Sequence, residues 1–248
     1  MPGFYIWTSP LKSAYVGTTP IKEIYVGTTK VRPDRWQPSS KTLAYMPFKE
    51  DLKNKMTNAG PTSSTNASLV TWTAPGWYLN VSNGYAFWNL SESFTSSQAR
   101  TYNVWFQLYS VNTWNRRLTN IHWAMDLRIT WTQRQSYQSI PQRTIMSQGD
   151  TDSWWRNNWF RTDYNTWHNL CIIFNGTNVT QYYDKNKLQV WIAIDRATTN
   201  TVTQLSVWVN NNYDRYDWRV SELILEKWNR AESDIFSYYD TTKSDYWL

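Results

Sequence analysis

From about residue 68 onward the chain is divided into short runs: "SLVTWT", "GWYLNVS", "YAFWNL", "YNVWFQLYSV", "WAMDLRITW", "RTIMSQG", "HNLCIIFN", "TQYYD", "LQVWIAID", "TQLSVWVN" and "RVSELILEK". Polar turn clusters separate them. The runs alternate or are continuously apolar, they are rich in Val, Ile, Tyr and Trp, and their lengths suit strands better than helices. Helical periodicity is nearly absent until "NRAESDIFSYYDTTKS". A chain punctuated in this way predicts an all-β, antiparallel architecture, either a β-sandwich or a barrel, with helix as a minor component.

The front of the chain is built differently. "YIWTSPLK", "YVGTTPIK" and "YVGTTKVR" are one phrase repeated at a ten-residue interval, each copy ending in a basic residue, Lys12, Lys22 or Arg32. The alternation in "IKEIYVGTTKVRP" predicts a hairpin around Gly27-Thr28-Thr29. Strands this short make a poor domain alone, and such a segment completes its core with neighbouring copies or a partner. Residues 1–36 are therefore read as a β-hairpin repeat for attachment or assembly, with Tyr5, Tyr15, Gly17, Tyr25 and Gly27 as its contact positions. The alternative is an ordinary hairpin folded onto the main domain. "RPDRWQPSSK" reads as a linker, and residues 37–248 as the β-sandwich domain. "FKEDLKNKM" is expected to form a short helix or a turn.

Gly17 and Gly27 stand where a strand turns, and the first copy of the repeat has Trp7 in that place. Positive φ is useful there, and Trp has a Cβ to accommodate and an indole to expose. The chain holds 18 Trp against 8 Gly, whereas average usage near 7% would give about 17 Gly. Trp77, Trp208, Trp218, Trp228 and Trp247 also sit in turn-like surroundings. Two explanations stand side by side. Several of these positions are Gly in the native protein, through a genetic code that reads UGA as Gly, or all are genuine Trp serving as surface aromatics for sugar rings. Trp105 and Trp167, by contrast, lie in or beside strand-like runs where an indole packs well.

Length and composition set the outer bounds. With 248 residues, 41% hydrophobic and 18% charged, the chain can bury a core and is not compositionally disordered. The single Cys171 excludes an intramolecular disulfide framework. Neither a secretion leader nor an apolar run long enough for a bilayer is present, which gives the expectation of a soluble protein without membrane insertion. The net charge of +6 comes from scattered basic residues. That pattern argues for mild attraction to anionic surfaces and against a dedicated nucleic-acid site.

"TWHNLCIIFNGTNVTQYYD" resembles the Trp-His, strand, Asn-Gly turn, strand pattern of laminin-G-like and concanavalin-A-like domains. "RVSELILEKWNRAESDIFSYYD" resembles the strand, Asn-Arg-Ala loop and short helix near the end of that family, where a Gly before the strand is usual and Trp218 stands here. The resemblance covers residues 40 to 248 and is densest over 160 to 240. It implies a jelly-roll, concanavalin-A-like β-sandwich. "IKEIYVGTTKVRP" is similar to the amino-terminal strands of bacteriophage virion and tail-associated proteins that carry such domains. Together they imply a non-enzymatic phage virion structural protein that displays a lectin-like sandwich for adhesion to surface glycans. It would assemble in the host cytoplasm, be released by lysis and sit on the virion surface, with copies of itself or other virion proteins as partners through residues 1–36. A purely architectural coat or tail subunit, or a glycan-processing enzyme on the same fold, are the alternatives.

No catalytic residues are assigned. A hydrolase on this fold needs paired carboxylates, commonly at every second position of a strand. Glu222 and Glu226 are four residues apart, about 13 Å on a strand, and read as solvent-facing or strand-end charges. His122 and His168 lack companions at metal spacing, and Cys171 reads as a buried apolar residue. For ligand binding the cluster "SWWRNNWFR" offers exposed aromatics with planar polar partners: Trp154, Trp155, Arg156, Asn158 and Trp159. For a cation, "VNNNYDRYD" supplies the hard oxygens of Asn210, Asn212, Asp214 and Asp217. Ca²⁺ is the cofactor that set would take, although Asx residues also populate turns for backbone reasons alone.

Overall fold

The computed structural model describes residues 36–71, 77–95, 98–108, 165–176, 179–188, 201–208 and 217–246. Strands within 15–30, 115–131, 143–148 and 156–160 are described as backbone. The chain divides into two compact units, Met1–Trp36 and Gln37–Leu248.

In the first unit β1 (Tyr15–Val16) pairs with β2 (Thr19–Pro20), and β3 (Tyr25–Val26) pairs with β4 (Thr29–Lys30). The ten-residue repeat is thus a repeat of hairpins. The register couples Val16 to Thr19 and Val26 to Thr29, leaving two residues between the paired positions. Hairpins with that spacing favour turns that demand positive φ, which is what Gly provides. Tyr5, Trp7, Gly17 and Gly27 lie outside the described residues.

The second unit holds the remaining strands. They are β5 (Thr42–Met46), β6 (Ser63–Val70), β7 (Tyr78–Thr95), β8 (Arg100–Leu108), β9 (Asn115–Ile121), β10 (Met125–Trp131), β11 (Arg143–Gln148), β12 (Arg156–Phe160), β13 (Trp167–Phe174), β14 (Val179–Tyr183), β15 (Asn186–Leu188), β16 (Thr201–Trp208) and β17 (Asp217–Glu226). They form one antiparallel sheet in the order β12-β11-β10-β9-β16-β7-β17-β8-β13-β14-β15, with β5 on β17 and β6 on β7. The sheet becomes a sandwich through β7. Tyr85–Thr95 pairs with β16, and Leu79–Ser82 pairs with β17, so one long strand belongs to both layers. Inside lie Leu43, Met46, Leu79, Trp88, Phe106, Leu170, Leu223 and Leu225, all fully buried. Each contributes about 1.5–3 kcal/mol of burial.

One local expectation is corrected and another is settled between its two alternatives. Residues 77–95, read as two strands divided at Asn83-Gly84, are continuous strand from Tyr78. Gly84 is needed for close approach, because a Cβ there would stand 1.9 Å from the Thr65 carbonyl oxygen. Opposite it, β6 shifts register between Thr65 and Ala67, and Asn66 adopts φ 48°. "FKEDLKNKM", expected as a short helix or a turn, takes the turn, over residues 55–58. Asn54 organises it, accepting at Oδ1 from the Tyr45 and Met56 amides and donating from Nδ2 to the Asn89 carbonyl. A helix would take those backbone groups for itself. The chain ends in α1 (Glu232–Thr242) and a 3-10 turn, Lys243–Tyr246. α1 has acidic residues in its first turn, where the helix dipole favours them, and buries Ile235, Tyr238 and Thr242. Among the described residues no helix is long and apolar enough to cross a membrane.

Candidate functional site

The face of β13, β8 and β17 turned away from the core is polar and aromatic, and most of it is buried. On β8, Val104 and Phe106 point into the core, so alternation turns Thr101, Asn103, Trp105 and Gln107 outward. On β13 the same rule turns Trp167, Asn169 and Cys171 outward. A register shift between Val220 and Glu222 inserts Ser221 into β17. A bulge of this kind re-aims side chains, and here Glu222 stands opposite Trp105 while Val220 and Leu223 both stay in the core.

One end of this face is roofed by α1 and the 3-10 turn. Trp105 lies between Tyr239 and Tyr246, with ring centroids 5.5 and 4.1 Å away, and donates from Nε1 to Thr242 Oγ1 at 3.2 Å. Tyr246 donates to Ser221 Oγ and packs on Trp167. Beneath the roof the Glu226 and Arg230 side chains are 2% and 1% exposed and joined by Nε to Oε2 at 2.9 Å and Nη2 to Oε2 at 2.7 Å. The Arg230 amide donates to Thr101 Oγ1, and Asn169 Nδ2 donates to Asn103 Oδ1. Burial pushes the Cys171 thiol up to about 12, so it is no thiolate nucleophile at neutral pH. The same burial raises the Tyr238 phenol.

The other end of the face is formed around Arg219, Gln107 and Tyr78. Arg219 on β17 stands between Gln107 and Asn80 in register. Its guanidinium lies 4.8 Å over the Tyr78 ring and donates from Nη1 to Gln107 Oε1 at 2.8 Å. Gln107 Nε2 donates to the Asn165 carbonyl at 2.6 Å. Tyr78, Gln107 and Trp167 are buried, whereas Arg219 is half-exposed and Asn165 exposed.

His168 has a structural role beside this face. Its Nδ1 is 2.6 Å from Asp184 Oδ2, and Asp184 Oδ1 accepts the Asn169 amide. Asp184 and Lys185 have φ 46° and 70°, the positive values required at both central positions of the two-residue β14–β15 hairpin. His168 and the Asn169 amide therefore clamp the turn to the strand. Lys185 and Lys187 on that turn reach α1 at Asp240 and Glu232.

The residues proposed from sequence fare as follows. Arg156, Asn158 and Trp159 lie on β12, opposite Ser147, Ile145 and Thr144, at the outermost described strand of the sheet. Trp154 and Trp155 lie outside the described residues, as do Asn210, Asn212 and Asp214. Asp217 begins β17 opposite Ser82. Among the described residues no three or more His, Cys, Asp or Glu gather as metal ligands. Glu222 and Glu226, read as solvent-facing or strand-end charges, are both buried; Glu226 is the last residue of β17, and Glu222 lies at the bulge. Arg219, Gln107 and Tyr78 were not singled out from sequence. The available signal was a cation at the start of the strand "RVSELILE".

No family model matches the chain, and no curated protein matches it by sequence. Its fold is that of clostridial neurotoxin binding domains. The binding domain of Botulinum neurotoxin DC, solved with rat synaptotagmin II, is 10% identical with a TM-score of 0.62, covering 81% of this chain and 51% of that one. The binding domain of Paraclostridial Mosquitocidal Protein 1 is 12% identical with a TM-score of 0.59, covering 81% and 52%. A botulinum neurotoxin type C structure, described as entering cells through two ganglioside molecules, is 10% identical with a TM-score of 0.61, covering 81% and 51%. The chain thus spans about half the length of each, and at these identities the likeness establishes the fold.

Proposed function

We propose that this chain is a non-enzymatic adhesion protein: a lectin-like β-sandwich for surface glycans, carried on a bacteriophage virion and joined to the particle through residues 1–36. The observation that carries the reading is the sandwich itself, whose structural neighbours are toxin binding domains, one of them described as using gangliosides. The tandem hairpins support the attachment role. Hairpins of two residues per strand are marginal alone and gain from pairing with neighbouring copies. Weak individual contacts would then be strengthened by repetition on the particle.

The test is a glycan array probed with the full chain, once as free protein and once clustered on beads. Clustered protein is expected to retain particular glycans that free protein releases. An empty array in both forms removes the glycan reading and leaves an architectural coat or tail subunit, the role that the tandem hairpins would serve by themselves. Antibody labelling of intact particles from the native source tests the virion placement.

A further inference from the structure

We infer that copies of this chain associate edge to edge through β1 and β3, so that the hairpin segment joins the protein to itself. This rests on the attachment role read for residues 1–36 and adds the partner and the strands. Among the described residues each hairpin is a sheet of two strands, and a hairpin alone is marginal at best without further strands to extend it. Register decides which edge takes them. Pro20 has no N–H, so Tyr15 and Pro20 are not the pair that exchanges two main-chain bonds, and alternation gives that role to Val16 and Thr19. The N–H and C=O of Tyr15 therefore face away from β2. The second hairpin has the same register, Tyr25 with Lys30 and Val26 with Thr29, so the Tyr25 main chain faces away from β4 in the same manner.

The two strands of each hairpin differ as edges. At one repeat position β2 carries Pro20 and β4 carries Lys30, and Pro and Lys are residues with which natural sheets blunt an edge. β1 and β3 are both Tyr-Val, good strand formers with neither device. An edge offered twice at a ten-residue step fits a partner with the same step, and a second copy of this chain has it. Main-chain bonds supply the affinity in such strand addition. The multimer then brings several sandwiches to one surface, where their weak contacts reinforce one another.

The experiment is sedimentation velocity on the full chain over a concentration series, with each variant verified as folded by thermal melting. The unaltered chain should sediment as a multimer. Tyr15→Pro with Tyr25→Pro removes the outward donors of β1 and β3 and should leave monomer at concentrations where the unaltered chain is multimeric. Tyr15→Lys with Tyr25→Lys keeps those donors, adds the charge that β4 already carries, and should raise the concentration at which the multimer forms. Lys30→Pro is the control, since it gives β4 the residue that β2 has, and it should leave the multimer unchanged. Monomer at every concentration for the unaltered chain overturns the inference, as does a multimer that survives both edge variants or one that Lys30→Pro dissolves. None of these results touches the glycan array, and a monomeric chain leaves attachment to a different virion protein standing.

Discussion

Trp105 and Tyr246 stack with ring centroids 4.1 Å apart and planes 17° from parallel, which ties the last turn of the chain to the middle of a sheet. The indole also stacks with Tyr239, and its N–H is taken by Thr242. Trp105→Ala removes all three contacts, and a fully buried Trp truncated to Ala costs about 3–5 kcal/mol. Trp105→Phe keeps a ring between the two tyrosines and loses the hydrogen bond, a loss of about 1 kcal/mol. Urea denaturation should rank the variants in that order. Equal, small losses would mean that the carboxyl-terminal helix is not held by this stack.

The Glu226–Arg230 pair calls for a different kind of substitution. Both side chains are almost wholly buried, so removing one leaves the other as an uncompensated charge. Arg230→Met alone should destabilise by about 3–5 kcal/mol, while the double change Glu226→Leu with Arg230→Met should recover most of it, because desolvation of both ions is then avoided. Chemical denaturation of Arg230→Met, Glu226→Leu and the double variant gives the coupling directly. A double variant as unstable as the sum of the single ones would show that the pair contributes through its neighbours instead of through its charge.

The sheet was legible in the sequence, and its corner was not. Alternation around Val104, Phe106, Leu170 and Leu223 is a local property of each strand, so strands and core faces follow from it. Asn83-Gly84 has the composition of a turn, and only the Thr65 backbone, brought close by a bulge on β6, explains why Gly sits within a continuous strand. The same limit applies to the outer face. Glu222 and Glu226 read as solvent-facing or strand-end charges, and their burial was not legible because neither the inserted Ser221 nor the helical roof leaves a mark on strand periodicity. Arg219 meets Gln107 and Tyr78, which are distant in the chain.

Lys185 on the β14–β15 turn donates to Asp240 on α1 at 2.6 Å, and this bond, with help from Lys243, holds the carboxyl below its ordinary range. The group's folded pKa is depressed, so its contribution is complete above the unfolded value, about 3.9, and disappears as pH falls through the lowered value. Both side chains are well exposed, and screening limits the pair to less than about 1 kcal/mol. Asp240→Asn should therefore be slightly less stable than the unaltered chain at neutral pH, and the two stability curves should converge below the ordinary carboxylate range. A gap that persists at the acid end would assign the difference to lost packing.

The tryptophans fall into contrasting groups, and this bears on what the native chain carries at residue 7. Trp88 and Trp105 are fully buried, and their N–H groups are placed on the Leu52 carbonyl and on Thr242. Trp77 is 41% exposed, and the indole nitrogen of Trp228 is buried without a hydrogen-bond partner among the described residues. An orphaned buried N–H costs about 1–3 kcal/mol, which a Gly at that place would not incur. Trp7 corresponds by repeat position to Gly17 and Gly27, next to hairpin registers that leave two residues for the turn. Peptide mass spectrometry of protein from its native source should find Gly masses at residues 7, 77 and 228 and Trp masses at 88 and 105. Trp masses at all five would make the exposed indole of Trp77 a ligand contact to test next.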